Sequence, residues 1–317
     1  MKKKIFKILI VTACLFFIYK YFNENQNIYN IIFNADYSKL IFIILIITFI
    51  IYFYAKLLLI TLTKLCGVKI PNDKWYLIYF NSQFLNAIPL FGIFYRAIQL
   101  KKFNLNYDKF FGIYIIISWF FVFLSLFFFS IETFFVFPDI KFFQINLYVI
   151  FLISSIFFFI FPIFFLIILK KIIVKNKFKY NFFISRLEKL IDLFLSSLSN
   201  KVFLKNFIFV FFLIHIFEFF ALSQLVDSLN NDVGLKNSFI LFMGNILIDS
   251  FNVLPQNLII SEIGFGILTN QLNFNFELGV LIKIYFRFLV FFASVFIAIL
   301  YNVFILLKYK NQKNGKV

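Results

Sequence analysis

The chain has 317 residues, of which 63% are hydrophobic and only 14% charged, and its mean hydropathy is +0.95. A soluble domain of this length has no interior able to bury that much apolar side chain, so composition excludes a soluble enzyme and indicates a polytopic integral membrane protein. The formal net charge of +17 does not indicate nucleic acid, because Lys and Arg sit between apolar segments, where they orient helices and meet anionic headgroups.

The chain opens with Met1-Lys-Lys-Lys and an apolar run to about Phe22, read as a retained first helix rather than a cleaved signal peptide. Residues 40–60 form a second span, and residues 110–131 and 147–169 two more, each near the roughly 20 residues that a bilayer crossing needs. Residues 170–205 form a basic linker whose middle, 182–198, has apolar residues at helical spacing and is expected to lie on the membrane surface. Residues 207–226 span again and carry His215 and Glu218, and residues 278–307 close the chain as a long helix. The 57 Phe residues reflect the same A/T-rich codon bias as the many Ile, Lys, Asn and Tyr, and carry no assigned function.

Two apolar segments are interrupted. Residues 75–106 contain Asn86-Ala-Ile-Pro89-Leu-Phe-Gly92-Ile-Phe-Tyr-Arg96, and residues 239–275 contain Asn252-Val-Leu-Pro255-Gln-Asn-Leu-Ile-Ile-Ser-Glu262. Both read Asn-x-x-Pro with a charge seven residues after the proline, which a lipid-facing helix would reject. Interruptions at corresponding places in two halves are a pointer to a binding site made from repeats.

Positive charge sets the expected orientation. Four Lys precede residue 8, seven Lys or Arg lie in 61–109, nine in 170–205 and four after residue 307. The intervening loops hold Lys20, Lys39, Lys141 and Lys236 beside Glu24, Asp36, Glu132, Asp139, Asp227 and Asp232. Both termini are therefore expected in the cytoplasm, and the two broken elements enter from opposite faces. The fold expectation is an all-α membrane bundle of about six full spans plus two broken or re-entrant elements. It forms one integral membrane domain over 1–317, with an inverted repeat relating 39–131 to 203–307 and with 170–205 as a cytoplasmic linker.

The candidate site residues are charges that the membrane should not tolerate alone. Arg96 suits a phosphate, and Glu262 an amine or a coupling proton. Glu218, Asp249, Lys283 and Arg287 are expected in the outer half, where charges pair or line a wet cavity. Arg287 is the expected partner of Glu262, because its planar fork can hold a carboxylate with two hydrogen bonds. Asn86, Pro89, Gly92, Asn252 and Pro255 shape the broken elements. His215 and Glu218, three apart, share a helix face and offer an acid/base pair to a rival reading as a lipid transferase or hydrolase. The single histidine excludes a multi-histidine metal centre, Cys14 and Cys66 form no metal or disulfide motif, and no phosphate loop or nucleophile elbow is present. No metal, cofactor or catalytic residue is expected.

The two broken motifs resemble those of the lysylphosphatidylglycerol synthase transmembrane family, also called flippase-like membrane proteins. That family carries Pro-x-x-Gly-Glu-x-x-Arg, then Pro-Gly-Gly-Leu-Gly-x-x-Glu, then an arginine in the last helices. Pro89, Gly92 and Arg96 follow the first, with Ile93 at the Glu position. Pro255, Leu258 and Glu262 follow the second, with Gln256-Asn257 replacing the double glycine, and Arg287 fits the later arginine. The resemblance spans about residues 5–307. It implies an inner-membrane protein that binds a lipid headgroup and moves a phospholipid or a polyprenyl-linked lipid. Because the chain ends at Val317 after its last helix, lysyl transfer is expected to be absent. A further alternative is a non-catalytic partner of an envelope-glycan enzyme.

Overall fold

A computed structural model of the chain describes residues 35–86, 91–139, 141–142, 144–175, 182–229, 233–250 and 260–314. The segment read as the first helix, and Pro89, Asn252 and Pro255, lie outside the described residues. The described chain is all-α apart from a two-residue β-hairpin, and five of its helices are long and apolar enough to cross a membrane.

Helix α1 (Tyr37–Cys66) starts where the Asp36 carboxylate caps the backbone N–H groups of Ser38 and Lys39, and ends at Gly67 in the left-handed conformation. The next three helices are α2 (Asn72–Leu85), α3 (Phe91–Lys101) and α4 (Tyr107–Val136). Strands β1 (Lys141–Phe142) and β2 (Ile145–Asn146) lead into α5 (Leu147–Lys175). The chain continues as α6 (Phe182–Ser199), α7 (Lys201–Ser228), α8 (Gly234–Ser250), α9 (Ile260–Gln271) and α10 (Phe276–Asn314).

Helices α1 and α7 form the central antiparallel pair. The Asp36 N–H donates to the Ser228 carbonyl at one end, and the Asn200 amide donates to the Lys64 carbonyl at the other. Both helices bury apolar side chains, Ile43, Ile47 and Leu58 on α1 and Phe211, Ile214 and Leu225 on α7. Helix α4 packs across α7 through Phe120 on Phe203 and Phe207, and through Phe121 on Phe211.

Helix α10 serves as a ruler for the two broken elements. Its 39 residues span about 58 Å at the usual rise. Helix α2 runs antiparallel to its C-terminal half: Asp73 pairs with Lys308, Asn81 with Asn302, and Phe84 meets Phe291. Helix α9 runs antiparallel to its N-terminal part: a Cβ on Gly279 would lie 2.2 Å from Thr269 Oγ1 and 2.6 Å from the Phe265 carbonyl oxygen, and Arg287 reaches Ser261. The two elements thus approach from opposite ends of α10, and their tips reach the level of residues 287–291. With 14 and 12 residues, α2 and α9 are about 21 and 18 Å long, too short to cross a hydrocarbon core of about 30 Å.

Helix α6 runs lengthwise along α4: Arg186 pairs with Asp108, Leu190 fills the space over Gly112, and Phe194 packs on Trp119. Its apolar stripe is buried against protein at Ile191 and Phe194. Two expectations change. Glu132, read as a loop residue, lies on α4, which continues five residues past the expected end because its last turn packs on α8 at Phe239 and Met243. Likewise Asp227 belongs to α7 rather than to a loop, and Lys39 and Lys236 sit in the first turns of α1 and α8.

Candidate functional site

Glu262 opens α9, in the first turn after the break, and Arg287 lies on the facing surface of α10. Arg287 Nη1 stands 3.0 Å from Glu262 Oε1, and Nη2 donates to Ser261 Oγ at 2.6 Å. Ser261 is fully buried, and its hydroxyl in turn donates to Glu262 Oε2 at 3.2 Å. The ion pair expected from the sequence is present, but the guanidinium divides its two terminal nitrogens between Glu262 and Ser261 instead of holding the carboxylate with both. One turn earlier on α10, the buried Lys283 pairs with Asp249 at 2.7 Å and also donates to Asn245. Asn245 and Asp249 are four apart on α8 and present one face to it. The N-terminal part of α10 is therefore lined with charges that satisfy one another in a region where isolated charge is costly.

Glu218 does not join this network through a contact. Its carboxylate accepts a hydrogen bond from the Tyr54 hydroxyl at 2.9 Å, across the α1–α7 seam, while Asp249 and Lys283 stand within electrostatic reach. His215 turns elsewhere. Its Nε2 meets the Glu132 carboxylate on α4 at 3.2 Å, and its ring sits among Phe128, Phe129, Phe211 and Phe242. The shared helix face read from the sequence thus splits between two partners, because α4 and α1 flank α7 on different sides. Glu132 and Tyr54 had no sequence signal that would mark them, since both contacts bridge helices far apart in the chain.

Arg96 lies on α3 and is buried, at 4% exposure. Arg96 and Glu262, the charges seven residues after the two motif prolines, make no contact with one another. The guanidinium stacks between the rings of Tyr79 and Tyr114, 5.0 and 5.5 Å from their centroids. Arg96 Nε and the Tyr114 hydroxyl make no hydrogen bond, and no carboxylate among the described residues pairs with this arginine. Gly92 allows α3 to fold back so tightly. A Cβ there would stand 2.1 Å from the Ser82 carbonyl oxygen and 2.0 Å from Asn86 Oδ1. Asn86 caps α2 and donates to Gln83 Oε1 at 2.9 Å, which extends the polar lining of the hairpin.

Between these groups lies a cavity of about 250 Å³. Tyr54 and Glu218 form part of its wall, and Tyr79 and Gln83 another part. Ile47, Ile50, Phe286 and Val290 supply apolar surface between them. A second, wholly apolar groove of about 480 Å³ runs between α1 and α10, past Tyr37, Ile41, Ile44, Tyr285 and Phe288. The arrangement sets charged side chains and a polar-edged cavity beside a wholly apolar groove. No group of three or more His, Cys, Asp or Glu that could hold a metal occurs among the described residues.

Compared with known proteins, the chain matches the family model for the lysylphosphatidylglycerol synthase TM region over residues 4–298. No curated protein and no solved structure matches it.

Proposed function

On the premise that this chain belongs to the lysylphosphatidylglycerol synthase TM-region family, we propose that it handles a membrane lipid, binding the headgroup among its mid-depth polar groups and moving the lipid between leaflets. The substrate class is a phospholipid or a polyprenyl-linked lipid of the inner membrane, and both termini face the cytoplasm. The observation that carries this reading is the meeting of two short helical elements, entering from opposite ends of α10, at the level where Glu262, Arg287 and the central cavity lie. Broken helices whose freed backbone is held inside protein are a recurring way to build a site at the midplane. In this reading the α2–α3 and α8–α9 elements are the equivalent parts of an inverted repeat. Arg96, Glu218, Asp249, Glu262, Lys283 and Arg287 exchange their internal contacts for contacts to the passing headgroup. The apolar groove between α1 and α10 accommodates acyl chains.

No observation favours the rival enzyme reading, since His215 engages Glu132 and four phenyl rings rather than Glu218 or the cavity. Reconstitution into liposomes with a panel of fluorescent lipids tests the proposal. Translocation should be lost with Glu262→Gln and retained with His215→Ala. If wild type moves none of the lipids the translocation reading fails, and if only the histidine change abolishes movement the assigned role of Glu262 fails.

A further inference from the structure

Two charged side chains flank the central cavity without a salt bridge among the described residues. Around the N-terminal part of α10, Glu262 is neutralised by Arg287 and Asp249 by Lys283. Glu218 accepts a hydrogen bond from the neutral Tyr54 hydroxyl and feels His215 and Lys283 only at a distance, with no salt bridge among the described residues, and the part of it that is not buried opens to the cavity. Arg96 has no carboxylate, and its buried Nε is unsatisfied. It stacks on the ring of Tyr79, whose hydroxyl lies within reach of both Arg96 and Gln83. Tyr79 and Gln83 both line the cavity, as does Glu218. An anion seated against the Tyr79 hydroxyl and the Gln83 amide therefore sits in the field of Arg96, with Glu218 across the same space.

We propose that this cavity is the headgroup site and that it selects a zwitterionic phospholipid headgroup, with the ammonium on Glu218 and the phosphate toward Arg96. The inference rests on the lipid-handling reading and supplies its substrate class. A buried charge without a counter-charge is unfavourable, and each of these two lacks the sign that the other end of a zwitterion brings. An anionic headgroup would answer Arg96 and repel Glu218. A cationic one would do the reverse. Tyr54, Tyr79 and Phe286 add aromatic surface suited to an ammonium group. The cavity has room for a headgroup but not for the chains, which must lie outside it.

The test is binding, kept separate from transport. The full chain in detergent is titrated with nanodiscs or mixed micelles of phosphatidylethanolamine, of phosphatidylglycerol and of a synthetic cationic lipid. Wild type should bind phosphatidylethanolamine about tenfold tighter than either of the others, the equivalent of one charge-assisted contact. Glu218→Gln should erase the preference over phosphatidylglycerol, and Arg96→Gln the preference over the cationic lipid. Val290→Phe, which fills the cavity and leaves every charge in place, should abolish the selectivity. Glycerophosphoethanolamine, a headgroup without chains, should compete, and inorganic phosphate should not. Equal binding of the three lipids by wild type, or equal competition by phosphate, overturns the proposal even if no variant folds. Selective binding without translocation in liposomes would support the zwitterion site and sink the transport reading instead.

Discussion

Replacing Arg287 by alanine is the sharpest perturbation of the charged network. It removes the cation paired with Glu262 and the donor to the fully buried Ser261 hydroxyl. Breaking a buried pair from one side costs about 3–5 kcal/mol, because the remaining charge is stranded. The two side chains are 27% and 13% exposed, so the lower end, about 3 kcal/mol, is the expectation. Lys236→Ala, in the exposed first turn of α8, is the control and should stay within about 0.5 kcal/mol of wild type. The assay is reversible unfolding by sodium dodecyl sulfate in mixed micelles, followed through Trp75 and Trp119. Both report packing, since Trp75 bonds to α1 and Trp119 stacks on α5 and α6. A double-mutant cycle adding Glu262→Gln should return a coupling of about 1–3 kcal/mol. The charge-swapped Glu262→Arg with Arg287→Glu should recover part of what each single change loses. An Arg287→Ala protein as stable as Lys236→Ala, or a coupling near zero, would refute the pairing as a source of stability.

Gly92→Ala should destabilise by about 1–3 kcal/mol and impair translocation, because the added carbon meets the Ser82 carbonyl and forces α3 away from α2. Unchanged unfolding and transport would show that the hairpin relaxes freely. Lys283→Met removes the ammonium that pairs with Asp249 and bonds to Asn245, so it should be markedly less stable than the double variant Lys283→Met with Asp249→Asn, read in the same unfolding assay. Asp73 and Lys308 form a surface pair, each 42% exposed, and Lys308→Ala should cost no more than about 1 kcal/mol, with a loss that shrinks further in high salt.

Membrane class and helix positions were legible in the sequence because hydropathy over 20 residues is a local property of the chain. The expected segments at 40–60, 110–131, 147–169, 207–226 and 278–307 each lie inside a described helix. The ends were less legible. Helices α1 and α4 each run to 30 residues, since packing against neighbours continues a helix past the point where hydropathy alone would stop it. The two broken elements were marked by their Asn, Pro and Gly residues, and α2 and α9 reach the middle of α10 from its opposite ends.

The candidate site was half legible. That Glu262 should need Arg287 followed from the cost of isolated charge and from the geometry of a guanidinium, both independent of the fold. Ser261 sits next to Glu262 in the chain and could have been included on that ground. What no sequence argument reached was the partition of the remaining charges: Glu218 to Tyr54, His215 to Glu132, and Arg96 to two tyrosine rings rather than to Glu262. Sequence alone determined which residues the bilayer would not tolerate unpaired. Tertiary structure decided which of them meet, because partners 83 and 164 residues apart are brought together only by how α1, α4 and α7 rotate and cross, and those angles are set by the fit of buried phenyl and aliphatic side chains.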